Sequence, residues 1–252
     1  MKFFRFNAGL AAILLVAALA WLFREFASMP LPLQALGSVR VALAESISVQ
    51  ALVVSTVAVV VYWATVGRVL AWLRPILVAI ALAGGLVSVV AQGVALTSVA
   101  STQILTIASF LSSAALLGGA CTAMILGHWY LVIPSMQVSY LQSIVKLHIT
   151  STAMRVAVVA AAVWYALTPS FSAQFGMAPS FGHYITSIDG IFFWQRVLFG
   201  LGGPALLSYL TWETAKIRST QSATGILYVD FFTVVVGEVL AKYILLATHV
   251  PV

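Results

Sequence analysis

The sequence predicts an all-α, polytopic membrane protein: a bundle of about seven transmembrane helices forming a single domain over residues 1–252. Three observations predict it. Hydrophobic residues make up 62% of the chain and charged residues only 7%, where a soluble domain carries about a quarter charged residues. Mean hydropathy is +1.09. The apolar residues also fall in continuous runs of about 20, the length that crosses a bilayer as a helix, and do not alternate as barrel strands must.

The runs are residues 7–24, 47–66, 73–95, 104–127, 149–168, 191–211 and 223–247. The first lies in "MKFFRFNAGLAAILLVAALAW", which has the basic start and apolar middle of a signal peptide and reads as a retained signal-anchor helix. The connection 25–46 opens with prolines and has room for a short interfacial helix. Small residues at 83–85, and Ala115, Gly118, Gly119 and Thr122 in the fourth run, are spaced for close helix packing. The glycine pairs at 84–85, 118–119 and 202–203 are the places where a helix could break. The connection 169–190 is rich in Ser, Gly, Pro and aromatics and has no Lys or Arg.

The net charge of +6 reads as topology, because basic residues collect in cytoplasmic loops. An N-in, C-out arrangement puts Lys2, Arg5, Arg68, Arg74, Lys146, Lys216 and Arg218 inside, and only Arg24 and Arg40 among the connecting segments outside. The expected location is a bacterial inner membrane. Basic residues beside apolar spans do not read as a nucleic-acid surface. The one cysteine, Cys121, excludes an internal disulfide and a Cys-ligated iron–sulfur or zinc site. Neither an HExxH zinc motif nor a GxSxG serine elbow occurs.

An ionisable side chain inside a bilayer costs about 2.5–3.5 kcal/mol on insertion scales, so each needs a reason. The sequence places them in two groups, one near each face. The inner group joins His128, Trp129 and Tyr130, at the end of the fourth run, to His148, Ser151, Thr152 and Arg155, which share a helical face. A quinone site needs hydrogen-bond donors at the carbonyls, a proton-exchanging group and apolar walls. His128, Trp129, Tyr130, His148, Ser151 and Arg155 are the candidates, although aromatics here equally suit an interface belt. The outer group holds Asp189, Arg196, Asp230, Glu238, Lys242 and His249, as a proton path or a structural ion pair. Glu238 and Lys242 stand at i, i+4, the favourable order for a pair. Haem b would need two facing histidines, and none of the four lies well inside a run, which makes haem the weaker expectation.

"TGILYVDFFTVVVGEVLAKYILLATHVP", residues 224–251, resembles the closing helix of the membrane anchors of the DMSO-reductase anchor and polysulfide-reductase NrfD group. Gly237 and Glu238 match the closing Gly-Glu-x-x-Gly-Arg element, with Ala241 for its glycine and Lys242 for its arginine. The resemblance implies a haem-free subunit passing electrons between a membrane quinone and an iron–sulfur partner. The expected function is therefore a membrane subunit of a respiratory or electron-transfer complex that contacts quinone and lipid, with an iron–sulfur or cytochrome subunit as partner. It would have no self-contained catalytic site and no metal of its own. The alternatives are a small transporter or channel, for which mid-span polar groups would speak, and a purely structural subunit. On the quinone reading, His128→Ala and Arg155→Leu weaken turnover and leave assembly intact.

Overall fold

A computed structural model describes residues 2–28, 39–67, 72–97, 99–133, 136–175 and 180–252. Seven stretches are helical, long and apolar enough to cross a membrane, and no strand occurs among the described residues. The chain is an integral membrane protein of the multi-pass class. Residues 29–38 of the connection 25–46, and Arg68, lie outside the described residues.

The long helices are α1 (Lys2–Ser28), α2 (Val39–Thr65), α3 (Leu73–Leu96), α4 (Ala100–Val132) and α5 (Val138–Ala166). Two short helices follow, α6 (Pro169–Phe175) and α7 (Phe181–Thr186). The sixth span is composite: a 3-10 turn (Ile188–Gly190), α8 (Ile191–Val197), a π-helical turn (Leu198–Gly202) and α9 (Gly203–Lys216). The seventh is α10 (Thr220–Thr248). All seven expected runs are helices, and most helices are longer than their run. α5 begins at Val138, because Lys146 and His148 do not interrupt helical geometry even where they interrupt hydropathy.

The chain divides into two compact units, Met1–Ile107 and Ala108–Val252. In the first, α2 and α3 are joined along their length by small residues and hydroxyls. Ser55 Oγ donates to Ala81 O at 2.8 Å and Ser48 Oγ to Ser88 O at 3.2 Å. A Cβ on Gly84 would stand 2.9 Å from Ala51 O, so the close approach requires glycine there, in keeping with the packing read at 83–85. Two residues past the end of α2, Gly67 sits in the left-handed region, φ 83°, where a Cβ would be strained. Trp63 of α2 takes the Arg5 guanidinium over its ring at 5.7 Å.

In the second unit, Leu116 and Ala120 of α4 pack with Val234 of α10. α5 buries a stripe through Leu141, Val145, His148, Ser151, Thr152, Arg155, Val159 and Ala162, the face the sequence periodicity assigned. Residues 169–175 and 180–190 are anchored by aromatics: Phe171 and Phe181 are fully buried against Val159, Phe193 and Ile244. Of the three glycine pairs, those at 84–85 and 118–119 lie inside unbroken helices. The third pair does mark a break, since the π turn ends at Gly202. Pro204, two residues on, has no N–H to give the preceding turn, and the wider π turn accommodates its ring.

Candidate functional site

The two expected groups do not stay apart. Arg155, from the inner group, forks onto Glu238 from the outer group: Nε donates to Oε1 and Nη2 to Oε2, each at 2.9 Å. Arg196 Nη2 donates to the same Oε1 at 3.0 Å. Ser113 Oγ donates to Oε2 at 2.5 Å. Arg155 also reaches across to α4, where Nη1 meets Ser109 O at 3.1 Å and Ser109 Oγ at 2.8 Å. Its Nη2 donates to the main-chain oxygen of Val252 at 3.1 Å. Both arginines are fully buried and Glu238 is 3% exposed. These residues lie three to six positions from the midpoints of their spans, roughly 5–9 Å along the axis. The expectation that ionisable groups cluster near the faces is therefore corrected. Its error was depth: Arg155 stands 17 residues beyond the true start of α5, not just past an entrance at 149.

A second crossing links the groups again. His148 Nε2 lies 2.6 Å from Asp230 Oδ2, with both side chains fully buried. The approach is close, but neither ring nitrogen and neither carboxylate oxygen completes a hydrogen bond of normal geometry. Gly119 of α4 makes room for this pair, since a Cβ there would stand 3.3 Å from both His148 Nδ1 and Ser151 Oγ. Ser151 and Thr152 turn their hydroxyls back to His148 O, at 2.8 and 2.9 Å.

The Glu238–Lys242 pair does not form. Both arginines take the Glu238 carboxylate, while Lys242 is exposed and rests its ammonium 4.1 Å from the centre of the Phe110 ring. Desolvation favours this outcome. Two guanidiniums inside the unit need the carboxylate, whereas a lysine at the surface can extend towards polar surroundings. Asp189 and His249 are also exposed, and His249 stacks on Phe175 with centroids 5.5 Å apart. His183 is exposed in α7.

The aromatic triplet divides by role. The Tyr130 hydroxyl is buried, donates to Gln137 O and accepts from Leu141 N at 3.2 Å, which ties the end of α4 to the start of α5. Trp129 is half-buried. His128 faces outward and its Nδ1 meets the Tyr228 hydroxyl of α10 at 3.1 Å. Sequence reading missed Tyr228, and also Ser109, Ser112 and Ser113. The serines carried a signal, because spacings of three and four put them on one face of α4. Near the 3-10 turn, the Tyr184 hydroxyl is buried without a hydrogen-bond partner, and burial pushes its phenol up.

A slot of two glycines holds Arg196. A Cβ on Gly200 would stand 2.1 Å from Arg196 Nη1 and 2.6 Å from Gly237 Cα, and a Cβ on Gly237 would stand 2.1 Å from Gly200 Cα. Thus the π turn and α10 touch backbone to backbone, with the guanidinium laid against them. Chemically, the unit offers a fixed charge centre, a carboxylate–imidazole pair able to hold a proton, and one outward imidazole–phenol pair.

Fold and site define a multi-pass integral membrane protein with an ionic centre buried among its C-terminal spans. Comparison with known proteins finds no match: no family model fits the chain, and no curated protein or solved structure is similar to it.

Proposed function

We propose that the chain is the quinone-contacting membrane subunit of an electron-transfer complex in a bacterial inner membrane, oriented N-in and C-out. One observation carries the reading: the outward-facing His128–Tyr228 pair, 3.1 Å apart, on the surface of two apolar helices. Lipid tails offer such a pair no acceptor and no proton. A quinone headgroup arriving through the lipid offers both a carbonyl to accept a hydrogen bond and a site that takes up a proton on reduction. The similarity of residues 224–251 to the NrfD-type anchors supports the same class, with an iron–sulfur or cytochrome subunit as electron partner and non-covalent quinone as cofactor. The buried His148–Asp230 pair supplies a place to hold a proton inside the unit.

The test uses the chain purified from its native membrane with its partners. His128→Ala and Tyr228→Phe are expected to lower quinol turnover by about 10²-fold, the smaller end of general acid–base contributions, with the partners still co-purifying. Normal turnover in both variants overturns the reading. A transporter remains the second reading, favoured by the mid-span depth of the Arg155–Glu238–Arg196 cluster. Solute flux into vesicles reconstituted with this chain alone would select it.

A further inference from the structure

One end of the first unit gathers positive charge around an open space. Here α1 begins, α2 ends and α3 begins, and a cavity of about 260 Å³ is lined by Phe4, Tyr62, Val66 and Arg74. Arg74 is half-buried, and its Nε is buried with no hydrogen-bond partner. None of the ion pairs among the described residues includes it. A second guanidinium stands at the rim: Arg5, next to Phe4, lies exposed over the ring of Trp63, the neighbour of Tyr62. A ring face attracts a cation without using the N–H donors at the edge of the guanidinium plane.

The acids of this unit lie at its other end. Its sequence holds two, Glu25 in the last turn of α1 and Glu45 in the first two turns of α2. They stand roughly 30 and 25 Å along the helices from Phe4 and Tyr62, well beyond the screening length of about 8 Å at physiological salt. Arginine keeps its proton in any protein environment, so the charge at the cavity is permanent. The start of α3 adds to it. Trp72, at the N-cap, makes no side-chain cap hydrogen bond, so the positive end of a 24-residue helix is left beside Arg74. Aromatics set the depth: Trp63 and Trp72 are 40% and 66% exposed here, as rings at headgroup level are.

We propose that this cavity binds the phosphodiester headgroup of an anionic phospholipid, with Arg74 as its main ligand and Arg5 closing the rim. The guanidinium fork matches two phosphate oxygens. The walls formed by Phe4, Tyr62 and Val66 suit the glycerol and first acyl methylenes, which a free phosphate ion lacks. A zwitterionic headgroup would bring its ammonium beside two guanidiniums with no acid to receive it. A quinone carbonyl would leave Arg74 without a counter-charge. The site lies in the first unit and holds whether or not His128 and Tyr228 meet a quinone.

The experiment takes the full chain, stripped of native lipid by washing in a non-ionic detergent. Phosphatidylglycerol, phosphatidylcholine and inorganic phosphate are titrated separately at constant ionic strength while the thermal midpoint is followed. Native mass spectrometry counts the lipid retained. The expected result is a saturable rise with phosphatidylglycerol, about one such lipid held per chain more tightly than any further ones, and no comparable rise with the other two. Arg74→Gln is expected to weaken phosphatidylglycerol binding by more than about tenfold, the loss of one charge-assisted contact. Arg40→Gln removes the same charge from the start of α2, at the far end of the unit, and is expected to leave binding unchanged. A parent protein that responds equally to phosphatidylcholine, or to neither lipid, overturns the proposal even if Arg74→Gln fails to fold. An equal response to inorganic phosphate assigns the cavity to a free oxyanion and overturns the lipid proposal. So does a loss in Arg40→Gln as large as that in Arg74→Gln, which would mark diffuse attraction to a basic surface.

Discussion

Replacing Glu238 by Gln removes a charge and almost nothing else, which makes it the sharpest probe of the buried cluster. The glutamine keeps the length and one carbonyl acceptor, so packing against α4 and α5 is preserved. What it loses is the side-chain carboxylate that Arg155 and Arg196 share, at 2.9 and 3.0 Å, on a side chain only 4% exposed. Removing one partner of a buried ion pair costs about 3–5 kcal/mol, because the other charge is left in an apolar interior. Here two charges are left, so about 3 kcal/mol is a lower bound. That corresponds to roughly two powers of ten or more in the folded-to-unfolded ratio. The assay is equilibrium unfolding in mixed micelles, titrated with denaturing detergent, with Lys242→Met measured beside it. Lys242 is exposed and has no ion pair, so its loss is expected to cost less than about 1 kcal/mol. The reasoning is refuted if Glu238→Gln unfolds within about 1 kcal/mol of the parent, or if Lys242→Met costs as much.

Gly200→Ala is expected to cost about 1–3 kcal/mol in the same unfolding assay, since its Cβ meets Arg196 Nη1 and Gly237 Cα well inside contact distance. Tyr130→Phe leaves Gln137 O and Leu141 N without the hydroxyl between them, for a loss of about 1–3 kcal/mol. Hydrogen exchange at the start of α5 should rise in that variant before the rest of the helix responds. Arg155→Leu is expected to lower the yield of folded protein from membranes, measured by gel filtration, because it removes the two-pronged contact to Glu238 and empties the contacts to Ser109 and to Val252 O. Assembly is therefore expected to suffer in this variant, against the expectation from the sequence.

Hydropathy made the seven spans legible, because a bilayer imposes a length and a composition that few other environments share. The ends were less legible. Lys146 and His148 broke the apolar run but not the helix, and the start of α5 was read eleven residues late. That displacement carried through to the site. Arg155 was assigned to one face of the membrane and Glu238 to the other, when both stand near the middle of their helices. Periodicity did place His148, Ser151, Thr152 and Arg155 on one buried face. It could not say which helix they would meet, since partner choice depends on how four helices pack, not on spacing within one. The i, i+4 rule favoured Glu238–Lys242 for the same reason: it weighs neighbours on one helix and takes no account of two arginines arriving from others.

Arg155 and Glu238 act as one unit inside the protein, and a double-mutant cycle measures that directly. Arg155→Met, Glu238→Met and the double variant are unfolded in the same micelles. The prediction is a double variant less destabilised than the sum of the singles by about 2 kcal/mol or more, within the range found for residues in one network. Additive losses, with a coupling below about 0.5 kcal/mol, would contradict it.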